Sequence, residues 1–111
     1  MKPLKLELDF PDILAMRESA TQACQMLKVL ANEDRLIILC QLIQGGKNVG
    51  ELAALLGIRQ PTLSQQLTVL REEGLVRTER KGKYIFYSLA STEVVQIMQT
   101  LYSIYCGTDV R

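Results

Sequence analysis

The chain has 111 residues, enough for about one domain, and its balance of 48% hydrophobic to 23% charged residues fits a packed globule and excludes intrinsic disorder. It contains no histidine, which excludes Ser-His-Asp and Cys-His catalysis together with histidine-ligated zinc. The 13 basic and 12 acidic side chains nearly cancel, but Arg59, Arg71, Arg77, Arg80, Lys81 and Lys83 outnumber Glu72, Glu73 and Glu79 between residues 58 and 90, so a polyanion is expected to dock there.

Residues 1–10 interrupt their apolar positions with charge. They therefore lack the apolar core of a targeting signal and are expected to form a flexible tail. No apolar run approaches the roughly 20 residues of a membrane helix. A cytoplasmic protein with no membrane partner is expected, its thiols reduced, and the odd count of three cysteines agrees.

Pro11 and Asp12 stand where a first helix can begin, and Met16, Ala20, Ala23, Leu27 and Leu30 then recur at helical spacing. Cys24 lies on the edge of that stripe and reads as a packing residue of the core or of a dimer contact. Asn32 is placed to cap a second helix, with Glu33 and Asp34 in its first turn, an apolar face of Leu36, Leu39, Cys40 and Ile43, and Gly45-Gly46 as its stop. Asn48 caps a third helix that Gly57 closes. A fourth starts near Gln60, tolerates Pro61 in its first turn, buries Leu63, Leu67 and Leu70, and stops at Gly74.

Leu75–Arg80 and Tyr84–Leu89 read as two strands around a turn containing Gly82. Ser91 caps a last helix striped by Val94, Ile97, Met98, Leu101, Ile104 and Tyr105. The expected fold is mainly α with a β-hairpin, a winged helix-turn-helix over residues 11–111 with four helices, a two-stranded wing and a fifth helix in that order.

The side of the fourth helix opposite its leucines carries Gln65 and Thr68, with Thr62 and Ser64 on the flanks and Gln60 at its start. These uncharged donors and acceptors near a helix N-terminus suit base edges in a major groove, where glutamine can pair bidentately with adenine. Arg80, Lys81 and Lys83 crowd the glycine turn of the hairpin and suit phosphate or a narrow minor groove, with Arg59 as a further phosphate contact. Each element alone also fits an unliganded solvated surface. Their order along the chain favours double-stranded DNA as the partner.

The segments Leu30-Ala31-Asn32-Glu33-Asp34-Arg35-Leu36, Val49-Gly50-Glu51-Leu52-Ala53, Leu63-Ser64-Gln65-Gln66-Leu67, Leu70-Arg71-Glu72-Glu73-Gly74-Leu75-Val76 and Tyr84-Ile85-Phe86-Tyr87-Ser88-Leu89 together resemble the ArsR/SmtB family of winged-helix repressors over nearly the whole chain. The resemblance implies a homodimer joined through its first and last helices, bound to a palindromic operator and released by an inducer. Met16, Ala20, Leu27, Val94, Met98, Leu101 and Tyr105 are the expected dimerisation residues. Gln66 stands where many relatives have histidine.

Ala53 and Leu55 occupy the third-helix positions where the family's arsenic sensors place cysteines, and the carboxylate and histidine sites of its zinc and nickel sensors on the last helix are missing. No metal site, cofactor or enzymatic activity is expected. Cys40 and Cys106 remain, 66 residues apart, and their surroundings resemble the family's persulfide-sensing, biofilm growth repressor-like subgroup. That likeness implies that reactive sulfur species join the two cysteines in a di- or polysulfide bridge and release the operator. Read from the residues alone, Cys40 also fits a small buried hydrophobe. A soft-metal, arsenite-type sensor using Cys24, Cys40 and Cys106 is the alternative within the family. A thiol peroxidase and a winged-helix protein-interaction module are the alternatives outside it.

Overall fold

The structure is a computed structural model that describes Leu4 and residues 9–107. The expected N-terminal tail falls largely outside the described residues. Side-chain caps set where the helices begin. Asp12 accepts from the Ala15 amide at 2.9 Å and opens α1, Ile13–Leu30. Asn32 accepts from the Arg35 amide at 3.0 Å and opens α2, Glu33–Leu42, whose first-turn Glu33 and Asp34 meet the positive end of the helix.

A two-residue strand, β1, Lys47–Asn48, runs directly into α3, Val49–Leu56. Asn48 caps α3 through a reciprocal pair of bonds: its side chain accepts from the Glu51 amide at 2.8 Å, and Glu51 accepts from the Asn48 amide at 3.0 Å. Gly57 ends α3 in the left-handed conformation (φ 69°), which glycine adopts without a Cβ clash. Then follow α4, Gln60–Glu72, the strands β2, Val76–Lys81, and β3, Tyr84–Leu89, and finally α5, Thr92–Tyr105, capped by Ser91.

The five helices and the wing hairpin are those the sequence predicts. The sheet is wider by one strand: β1 pairs antiparallel with β3, Lys47 opposite Tyr87 and Asn48 opposite Phe86, giving the order β1-β3-β2. Two residues are too few to show an alternating pattern, and their pairing partner lies some forty positions away.

The core gathers around α4. Leu63, Leu67 and Leu70 are completely buried and meet Ile38 and Leu39 of α2, Leu52 of α3 and Met98 of α5, all equally inaccessible. Each such side chain contributes on the order of 2 kcal/mol by leaving water. These leucines hold α4 by one face and leave the opposite face exposed. Val94 and Met98 are also buried here, 3% and 0% exposed, so they serve the protomer's own core and offer a second chain nothing at its surface.

α1 is largely open within the protomer. Only Val29 and Leu30 at its C-terminal end are buried, whereas Ile13, Leu14 and Leu27 are exposed. Its stripe is real but uncovered within the protomer. Cys24 is exposed as well, so it does not pack in this core.

Candidate DNA interface and thiol pair

α4 presents the polar surface that the leucine period predicts. Gln60, Thr62, Ser64, Gln65 and Thr68 are all exposed, opposite the buried Leu63, Leu67 and Leu70. Arg59 occupies the N-cap position without a side-chain cap bond, and Pro61 sits in the first turn. The first amides of α4 therefore meet no capping side chain, which suits an approaching phosphate oxygen. The Thr68 hydroxyl donates to the Ser64 carbonyl at 2.9 Å within the helix. Its hydrogen is committed there, so toward a base Thr68 offers a lone pair and a methyl group.

The wing is a two-residue hairpin in which Lys81 pairs with Tyr84 across Gly82 and Lys83. Gly82 has φ 64° and is the sole turn residue with positive φ, as a type II′ turn requires. Lys81 and Lys83 place their ammonium groups 5.4 Å from the Phe86 ring and 5.6 Å from the Tyr84 ring. Arg80 Nε donates to the Gly82 carbonyl at 3.3 Å, bending the side chain toward the tip. Arg59, Arg80, Lys81 and Lys83 are all exposed, so the wing and the start of α4 carry free positive charge.

Sequence reasoning missed one residue beside this surface. Arg35, in the first turn of α2, donates from Nε to the Val29 carbonyl at 2.6 Å and from Nη1 to Gln66 Oε1 at 2.9 Å. It ties the end of α1 and the start of α2 to the middle of α4. An arginine near a helix start carries no sign of such a role.

The thiols are brought together in part. Cys40, half-buried on α2, and Cys106, exposed at the C-cap of α5, line one groove of about 410 Å³. Its walls are Leu36, Ile37, Met98, Leu101, Tyr102 and Tyr105, and none of the described residues lining it is charged. Burial, and secondarily the neighbouring Cys106 sulfur, push the Cys40 thiol above its ordinary pKa. The Cys106 amide donates to the Tyr102 carbonyl at 2.7 Å, which closes the last turn of α5. All three cysteines are free thiols. Cys24 lines a separate groove with Arg17, Lys28 and Glu73. The three thiolates that a soft-metal site needs therefore do not converge within the described protomer, and no group of three His, Cys, Asp or Glu side chains suited to a metal occurs among the described residues.

Of the expected dimerisation residues, Ala20, Leu27 and Tyr105 are exposed, Met16 and Leu101 are partly buried, and Val94 and Met98 belong to the core. The exposed apolar side chains of α1 are joined on α5 by Tyr102, Ile104 and Tyr105. No helix among the described residues is long and apolar enough to cross a membrane.

An exposed polar face held by a leucine stripe, with a cationic hairpin beside it, is the architecture of the winged helix-turn-helix class, whose members similar to this chain are transcriptional regulators. The sequence pattern of the family described as "Bacterial regulatory protein, arsR family" matches residues 32–78, from the cap of α2 into β2. The chain is 49% identical over 109 residues to the biofilm growth-associated repressor of Agrobacterium fabrum, a match spanning 96% of this chain and 93% of that protein. It is 43% identical over 94 residues to the transcriptional activator HlyU of Vibrio cholerae, spanning 85% of this chain and 87% of that one. The crystal structure of the transcriptional repressor BigR from Xylella fastidiosa superimposes with a TM-score of 0.81 at 42% identity, covering 90% of this chain and 99% of that chain. The chain belongs to the arsR family of bacterial regulatory proteins.

Proposed function

We propose that this protein is a homodimeric repressor that binds operator DNA through α4 and the wing, and that reactive sulfur species release it by bridging Cys40 and Cys106. The observation that carries the reading is the shared groove: two free thiols, one on α2 and one at the C-cap of α5, line one cleft whose described lining residues carry no charge. A persulfide RS–SH transfers its outer sulfur to one thiol, giving Cys–S–SH and RSH. Attack by the second thiol closes Cys–S–S–Cys and expels hydrogen sulfide. Each further transfer before closure adds one sulfur to the bridge.

A direct disulfide demands Cα atoms within about 7 Å, and each added sulfur relaxes the limit by about 2 Å. Closure ties the last turn of α2 to the end of α5, and α2 packs against α4. The exposed apolar side chains of α1 and α5 support a second copy as the cover for these helices. Two-fold symmetry then sets two copies of α4 on half-sites about one helical turn apart.

The test is operator binding by the reduced protein before and after glutathione persulfide, with mass spectrometry counting the sulfurs between the two cysteines. Cys40→Ser and Cys106→Ser are expected to bind the operator yet ignore persulfide. Release of either variant by persulfide refutes the pair as the switch.

A further inference from the structure

We infer that Arg35 is a positioning residue for DNA reading, fixing the roll of α4 about its own axis through Gln66. The inference rests on α4 being the reading helix and adds what orients it. The leucine stripe that seats α4 is apolar, and apolar packing has no preferred direction. It fixes which face of α4 is buried but supplies no directional bond against a small roll. A roll of about 20° shifts the end of a side chain some 6 Å from the axis by about 2 Å. That shift is enough to break hydrogen bonds to base edges, which tolerate only a few tenths of an ångström around 2.9 Å.

Arg35 supplies the missing directional reference. Its guanidinium is planar and rigid, so its bond to the Val29 carbonyl at 2.6 Å determines where its other donor points. That donor meets Gln66 Oε1 at 2.9 Å, one residue from the exposed Gln65 and one from the buried Leu67. Arginine can only donate, so Gln66 must present its oxygen here, and this side of α4 is registered against the junction of α1 and α2. Lysine has one nitrogen in place of a fixed fork and cannot hold both acceptors in the same geometry.

The experiment compares affinity for a duplex selected by tight binding from a random pool with affinity for a scrambled duplex of equal length. Well below the melting temperature, Arg35→Met and Gln66→Leu are each expected to weaken the selected duplex about tenfold and the scrambled one by less than about twofold. The double variant should be no worse than either single one, because both remove the same contact. Gln66→His returns an acceptor and is expected to restore most of the affinity, whereas Arg35→Lys is not. Should Arg35→Met fail to fold, the Gln66→Leu and Gln66→His pair carries the comparison alone.

Equal losses on both duplexes, additive losses in the double variant, or Gln66→His no better than Gln66→Leu would overturn the inference. Gln65→Ala serves as the control. If it keeps full selectivity, α4 is not the reading helix; if it loses selectivity while Gln66→Leu does not, the positioning role of Arg35 alone falls.

Discussion

Lys83→Ala isolates the wing from the rest of the surface. Lys83 is exposed in the two-residue turn, with its ammonium group 5.6 Å from the centre of the Tyr84 ring. Its removal therefore leaves the fold nearly unchanged, within about 0.5 kcal/mol. Each phosphate neutralised on B-DNA contributes about 0.9 to the slope of log affinity against log salt. In a dimer the substitution deletes two such contacts, so the slope should flatten by about 1.8. Across a rise from about 50 to about 200 mM salt, the parent protein should then lose roughly tenfold more affinity than the variant. Fluorescence anisotropy on selected and scrambled duplexes over that range reads the slope directly. A phosphate contact predicts the same flattening on both duplexes. An unchanged slope removes Lys83 from the interface, and a loss confined to the selected duplex makes it a base reader instead.

Gln65→Ala should weaken the selected duplex about tenfold or more while scarcely changing non-specific binding, since one bidentate base contact discriminates by about 1–3 kcal/mol. Equal losses on the two duplexes would contradict that role. Asn48→Ala removes the side-chain acceptor of the Glu51 amide, leaving the Asn48 amide free to donate to Glu51, and should cost about 1 kcal/mol, lowering the unfolding midpoint by about 4 °C in a circular dichroism melt; an unmoved midpoint would show that the side-chain cap contributes nothing. The raised pKa of Cys40 leaves its thiolate a minor species at neutral pH. Alkylation at Cys40, followed by peptide mass spectrometry, should therefore quicken about tenfold per pH unit above 7 without levelling by about pH 9. The linkage sign agrees: a thiol whose folded pKa is raised contributes stability at neutral pH that is lost as the pH climbs through that pKa. A rate plateau below about pH 8.5 would disprove the shift.

Local chemistry was legible in the sequence, and nonlocal contact was not. Asn32, Asn48 and Ser91 announce their helices because a cap is a bond between a side chain and an amide three residues on, so residue type and position suffice to encode it. Leu63, Leu67 and Leu70 reveal the exposed face of α4 because helical geometry fixes what lies opposite them. A periodic stripe cannot say which surface will cover it, however. The stripes of α1 and α5 look alike in sequence, yet Val94 and Met98 lie inside the protomer while Leu27 and Tyr105 stay in water. The meeting of Cys40 and Cys106 in one groove came from resemblance alone, because nothing in the spacing of 66 residues requires it. The bond between Arg35 and Gln66 depends on how two side chains extend across a helix junction, which no local pattern records.

The shortest strand has the widest consequence. Asn48 pairs with Phe86 of the wing and caps α3 with the same residue, so the hairpin and the helix-turn-helix share a rivet. Arg35 pins α4 from the other side. On the proposed reading, the surface that faces DNA is then held as one block, and a thiol switch between α2 and α5 acts from outside it. What a signal can change is where the two blocks of a dimer stand relative to each other. On the proposed reading, release from DNA is then a change of stride between half-sites, with each foot keeping its shape.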